Sequence, residues 1–208
     1  MAAAHADSIA TLEATAMSSP FATVAALIWA AWLLYWFVSA FGNKTAARVD
    51  GWGPLLVYRI PLVVAFALLF ARDDGRHPAG LWQRFLPWSQ GWAWLGLALL
   101  LLGLAFACWA RVALGRNWSA TVQLKQDHEL VVVGPYRWVR HPIYTGMLLG
   151  LLGTALVFGE WRGLLALVLV AAAFWFKLRH EEAWMRERFG ATYLDYMRHT
   201  KALIPGVL

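Results

Sequence analysis

The sequence predicts an all-α, polytopic integral membrane protein with about five transmembrane helices. Three observations carry this. The 208 residues are 61% hydrophobic, with a mean hydropathy of +0.53, more apolar surface than a soluble domain of this size hides. The 14 Trp suit a chain that repeatedly crosses the boundary between an apolar slab and water. Long apolar runs recur along the chain, each close to the roughly 20 residues that a spanning helix needs.

Residues 1–19 hold Asp7 and Glu13 but no Lys or Arg, which is wrong for a secretory signal. Their Ala/Ser/Thr-rich composition predicts weak order, leaving residues 20–208 as a single membrane domain. The helices are expected over about 21–41, 54–71, 92–113, 143–158 and 161–178. Only Gly159 and Glu160 separate the last two, which predicts a tight antiparallel hairpin. Gly146, Gly150 and Gly153 share a face of the fourth helix, where small residues let two backbones approach closely in lipid. The fifth helix should continue to about Phe189, break at Gly190 and lead to a short interfacial helix over 193–199. Residues 114–142 are long for a connector. Their apolar, β-branched Val131-Val132-Val133, ahead of a Gly134-Pro135 turn, reads as ordered chain.

The net charge of +6 fits cationic loops that orient a membrane protein better than it fits nucleic-acid binding. With the N-terminus outside, Arg72, Arg76, Arg84 and Arg162 fall outside and Arg59 within the second helix. The other thirteen of the 18 Lys and Arg fall inside. The C-terminus is therefore expected in the cytoplasm, where residues 114–142 and 177–208 share one side. Glu160-Trp161-Arg162 reads as an interfacial turn and anchor. Cys108, alone within an apolar run, excludes disulfides and thiolate metal sites.

Two strings carry chemistry. In Arg140-His141-Pro142-Ile143-Tyr144-Thr145-Gly146, Pro142 suits the opening turn of a helix. His141 then sits where free N–H groups and the helix dipole favour an anion. In Lys177-Leu178-Arg179-His180-Glu181-Glu182, two carboxylates end the fifth helix, beside the fourth. Paired acids hold an ammonium or ribose hydroxyls. An anion site facing a cation site suits a zwitterionic amino-acid moiety, such as the methionine end of S-adenosylmethionine. Read singly, the strings also fit plainer roles, as snorkelling cations with a helix start and as a solvated ion-pair face. His141, His180 and Glu181 lack the His spacing of a metal site, so no metal is expected.

Taken together, Gln123, His128-Glu129-Leu130-Val131, Gly134-Pro135-Tyr136 and the Arg140–Gly146 string resemble the isoprenylcysteine carboxyl methyltransferase family in order and spacing. So do Glu181-Glu182, Phe189-Gly190, Tyr193 and Tyr196. The resemblance spans about residues 95–205. The membrane phospholipid N-methyltransferases look like more distant relatives, through Pro-x-Tyr-x-Gly and Glu-Glu. The resemblance implies an S-adenosylmethionine-dependent membrane methyltransferase. Its cofactor would be held by Gln123, His128, Glu129, Leu130, Val131, Tyr136, His141, Pro142, Ile143, Tyr144 and Glu181. The pocket would be cytoplasmic, formed by the loop before the fourth helix and the C-terminal helix, within about 114–208. Lys177 stands where the family carries an Arg toward the substrate carboxylate. It keeps the charge without the two-pronged grip, and lies one turn from Glu181. Arg140 and Lys177 are the candidates for steering an anionic acceptor, and Glu182 is the candidate base where the acceptor carries a proton. The acceptor is expected to be lipid-like or small and hydrophobic, entering from the bilayer.

Two other classes compete. A membrane NADPH-dependent sterol-type reductase has a similar C-terminal region, but it has more spanning helices, and adjacent Glu181 and Glu182 would repel a 2′-phosphate. A non-enzymatic membrane subunit or transporter is disfavoured by the lack of an internal repeat and by polar residues gathered at one face.

Overall fold

The computed structural model describes residues 2–41, 46–49, 52–71, 80–115, 118, 123–125 and 130–208, of which 2–19, 46–49, 52, 54 and 123–125 are described by their backbone alone. Helices dominate because each apolar run must bond its own N–H and C=O groups where lipid offers no partner. They are α1 (Ala2–Ser39), α2 (Trp52–Phe70), α3 (Gln90–Leu114), α4 (Pro142–Phe158), α5 (Trp161–Phe189) and α6 (Ala191–His199). A 3-10 turn covers Gly134–Arg137. Helix reaches back to Ala2 where composition suggested weak order. Alanine is the strongest helix former, and this stretch is rich in it.

Among the described residues, Pro20–Ser39, Gln90–Leu114 and Trp161–Phe189 are long and apolar enough to cross a membrane. Leu55–Phe70 and Pro142–Phe158 are apolar but shorter. At 1.5 Å per residue, α4 rises about 25 Å against a hydrocarbon core of roughly 30 Å. Leu27, Leu34, Phe37, Val63, Leu102 and Val168 are each more than half exposed, which suits surfaces that face lipid rather than water. The chain is an integral membrane protein.

The α3–α4 pair forms the centre. Gly96 and Gly103 of α3 interlock with Gly153 and Gly146 of α4. A Cβ on Gly96 would lie 2.5 Å from the Gly153 carbonyl oxygen, and one on Gly103 2.5 Å from that of Gly146. The expected close approach of α4 is therefore real, and its partner is α3. α1 joins through buried Trp29, whose Nε1 donates to Thr154 Oγ1 at 3.0 Å, with Trp32 and Trp36 stacked at 4.5 Å below it. The expected hairpin forms: Gly159, at φ +65°, ends α4 in the left-handed region and Glu160 caps α5. α5 runs to Phe189 and turns at Gly190, as expected, and α6 begins two residues earlier than the sequence suggested.

Two short strands were not anticipated. β1 (Ala46–Val49) pairs antiparallel with β2 (Gln123–Lys125), tying the α1–α2 connection to the loop after α3. The order expected at Val131–Val133 is extended chain outside any strand. A two-residue local period cannot say which distant segment supplies the partner. Glu160 and Arg162 likewise depart from a simple interfacial anchor. Arg162 is buried, donates to the carbonyls of Leu68 (3.1 Å) and Ala71 (2.6 Å), and pairs with Glu160.

Candidate active site

The N-terminus of α4 is fixed from two directions. Along the backbone, Arg140 N donates to Lys201 O (2.8 Å) and His141 N to Ala202 O (3.0 Å), so the chain's last residues strap the helix start. Thr145 Oγ1 adds a bond to Leu203 O at 2.7 Å. Pro142 opens the helix, and no side chain caps it. From the other direction comes the end of α5. Arg140 contacts Glu182 Oε1 through Nε (2.8 Å) and NH2 (2.7 Å), while its NH1 donates to Thr200 O. His141 Nε2 lies 3.1 Å from the same carboxylate oxygen.

Glu181 faces differently. The Tyr144 hydroxyl donates to its Oε1 at 2.8 Å, Lys177 Nζ lies 3.8 Å from that oxygen, and His141 Nδ1 lies 3.7 Å from Oε2. Its side chain keeps 25% of its exposure, against 6% for that of Glu182. Lys177 and Glu181 thus share a face, as their one-turn spacing predicts. The rings of His141, Tyr144 and Phe174 form a column, with centroids 5.4 and 4.5 Å apart. The Lys177 ammonium sits between two rings, 5.1 Å from Tyr58 and 5.4 Å from Tyr144, a placement favourable for a partly desolvated cation.

Tyr136, Tyr193 and Tyr196 line the same end. The Tyr196 hydroxyl donates to Tyr136 O at 2.5 Å. Burial pushes all three phenols well above their ordinary range, and the nearby Glu181 charge pushes Tyr136 further, so they stay neutral donors. Of the other sequence-derived candidates, Pro142 and Ile143 are buried in the core beneath, and Leu130 and Val131 are half-buried. Gln123 lies in β2, described by its backbone alone. His128 and Glu129 lie outside the described residues.

Sequence reasoning missed Tyr58, Phe174, Thr200 and the strap of residues 201–203. Tyr58 is a phenol in a mostly apolar helix, and only the packing of α2 on α5 turns it toward Lys177.

Known proteins bear on this arrangement. Residues 92–192 match the phospholipid methyltransferase family model. Over 112 residues the chain is 35% identical to a protein-S-isoprenylcysteine O-methyltransferase of Schizosaccharomyces pombe, covering 52% of this chain and 48% of that protein. A probable protein-S-isoprenylcysteine O-methyltransferase of Oryza sativa subsp. indica is 28% identical over 116 residues, 54% of this chain and 61% of that one. The solved structure of a eukaryotic intramembrane Ras methyltransferase, an isoprenylcysteine carboxyl methyltransferase, superposes with a TM-score of 0.51 at 26% identity. It covers 76% of this chain and 55% of that one.

The chain is similar to these membrane methyltransferases over that region. The match takes in α3, α4, α5 and the loop between α3 and α4, and so includes Arg140, His141, Tyr144, Lys177, Glu181 and Glu182. The region of likeness to the methyltransferases spans roughly half to three fifths of the length of these curated relatives. Tyr58 and the terminal strap lie outside the family match.

Proposed function

We propose that this protein is an S-adenosylmethionine-dependent membrane methyltransferase acting on a lipid-like or small hydrophobic acceptor that enters from the bilayer. One observation carries the reading. Across the α4–α5 hairpin, partly exposed Glu181 meets the Tyr144 hydroxyl, with Lys177 and His141 on either side. The donor set fits a zwitterionic ligand. Glu181 and Tyr144 suit an ammonium or ribose hydroxyl, and the uncapped N-terminus of α4 beside His141 suits a carboxylate. Tyr136, Leu130, Val131, Pro142 and Ile143 supply the apolar surround. Family likeness supports adding Gln123, His128 and Glu129 to the residues that hold the ligand.

S-adenosylmethionine supplies a methyl group already activated on a sulfonium. The protein's residues need only bind, orient and exclude water, and alignment alone contributes about 7–11 kcal/mol in favourable cases. Lys177 attracts an anionic acceptor group from its place between Tyr58 and Tyr144. The names of the relatives point to a carboxylate on an apolar anchor, which is a nucleophile without a base. Glu182 accordingly braces rather than deprotonates. Its Oε1 is engaged by two guanidinium nitrogens and an imidazole, which leaves little capacity to take a proton. Arg140, tied to Glu182 and Thr200 O, is a positioning residue.

The site lies on the cytoplasmic side of five spans, with the N-terminus outside. The charge asymmetry of the loops supports this orientation. In a Cys108→Ser background, an impermeant maleimide added to intact cells should label Gly80→Cys and spare Ala191→Cys; the reverse pattern overturns the orientation. The cofactor is tested by calorimetry on detergent-solubilised protein, with NADPH as the control ligand. Saturable binding of S-adenosylmethionine, lost in Glu181→Ala, is expected. Binding of NADPH alone would replace this reading with that of a reductase.

A further inference from the structure

The 3-10 turn that carries Tyr136 inward has a second face. On that side Trp109, Gly134, Arg137 and Trp138 line a groove of about 480 Å³, which the proposed methyl-transfer site does not use. Its wall is aromatic. Trp138 lies parallel to Phe106 at 6.2 Å and meets Trp109 edge-on at 5.3 Å. The Trp109 indole nitrogen rests over Gly134, 3.5 Å from where a Cβ would project. Both indoles remain open, Trp109 at 44% and Trp138 at 55%. Arg137 is exposed, and no described carboxylate pairs with it. Two turns back from Trp109 along the same face of α3, toward the middle of the span, Leu102 is 63% exposed.

Trp109 lies in the last turns of the α3 span, where Trp marks the passage from hydrocarbon to headgroups. A guanidinium at that level meets lipid phosphate, and Phe106, stacked on Trp138, leads back to Leu102 and the hydrocarbon. A free phosphate would use only Arg137, and a single water-exposed cation holds such an ion weakly. A molecule with one negative headgroup and attached chains uses every feature. We propose that this groove binds an anionic phospholipid, with its phosphodiester at Arg137 and the indoles, and its acyl chains along Phe106 and Leu102 of α3. This binding is independent of the methyltransferase reading.

The test is native mass spectrometry of the full chain released from neutral detergent, after equilibration with equal amounts of dioleoyl phosphatidylglycerol and dioleoyl phosphatidylcholine. The wild type should retain one phosphatidylglycerol in preference to phosphatidylcholine. Arg137→Gln should lose that retention about tenfold, the scale of one charge-assisted hydrogen bond, while Arg137→Lys keeps most of it. Arg198→Gln, which removes the same charge from an exposed position on α6, should bind as the wild type does. Equal retention of the two lipids, or undiminished retention in Arg137→Gln, overturns the proposal. So does displacement of the lipid by millimolar glycerol 1-phosphate, which would mark a site for free phosphate. Because Arg137→Lys preserves the charge, its retention separates lost binding from lost folding.

Discussion

α5 carries a cluster of charge at each end, and the two ends use the same ingredients differently. At the N-terminal end Arg162 is closed on every side. Its Nε pairs with Glu160, its NH1 holds the last carbonyls of α2, and its guanidinium covers the rings of Phe158 and Trp82 at 5.1 and 5.7 Å. The connection ahead of α3 is sewn to this end by Arg162 N to Leu81 O and Phe85 N to Gly159 O, both 2.8 Å. At the other end, Arg140 and Glu182 form a comparable lock, but Glu181 and Lys177 stand beside it with polar atoms turned toward a partly open column of rings. Burial of charge alone therefore does not mark a site. A site is marked where charge is held in place and still has directions left for a ligand.

That contrast is open to direct tests. The largest effect is expected at the closed end. Arg162→Met strands the Glu160 carboxylate and the α2 carbonyls, and breaking a buried pair this way costs about 3–5 kcal/mol. Thermal unfolding in detergent should show a large fall in Tm, while the fraction that stays folded binds S-adenosylmethionine with its affinity within about twofold. A small change in Tm would show the knot to be ornamental. Tyr144→Phe should do the opposite. The Tyr144 hydroxyl stands where it can bond a ligand as well as Glu181. A hydrogen bond to a charged ligand group is worth about 1.5–3 kcal/mol, so cofactor affinity should fall at least tenfold by calorimetry, with a smaller fall in Tm than in Arg162→Met. Equal losses of stability and affinity would mean that the two ends are not functionally distinct.

The smallest effect is a pH dependence confined to the site end, where phenols gather and the knot has none. Burial raises Tyr136, Tyr193 and Tyr196 above the value of about 10 for a phenol in the unfolded chain. Above about pH 10 the unfolded chain releases protons that the folded chain retains. Their contribution to stability is therefore complete below that pH and declines as pH rises. Tm measured from pH 8 to 11 should turn downward near pH 10, and less steeply in Tyr196→Phe. A profile unchanged by that substitution would place the alkaline sensitivity elsewhere.

Much of this is legible in the sequence alone. The α4–α5 hairpin followed from two residues between apolar runs, the end of α5 from Gly190, and the shared face of Lys177 and Glu181 from helical spacing. These are local rules, and local period survives tertiary context well. What escaped were partners far apart in the chain: Trp29 with Thr154, β1 with β2, Tyr58 with Lys177, and residues 201–203 with the start of α4. An apolar helix is greasy on all sides, so its pattern does not say which neighbour it packs against.

The sequence by itself determined that the chain lives in a membrane, roughly where its helices lie, and which residue types could hold a zwitterionic ligand. Only the tertiary structure decided how adjacent Glu181 and Glu182 divide their work. They are the same residue in the same string, but successive side chains on a helix diverge by roughly 100°. That turn sends Glu182 beneath Arg140 and His141, leaving 6% of its side chain exposed, and sends Glu181 toward Tyr144 with 25% exposed. The arrangement of α4 against α5, set by the hairpin at Gly159 and by the packing of α4 on α3, makes one carboxylate a brace and leaves the other free to meet a ligand.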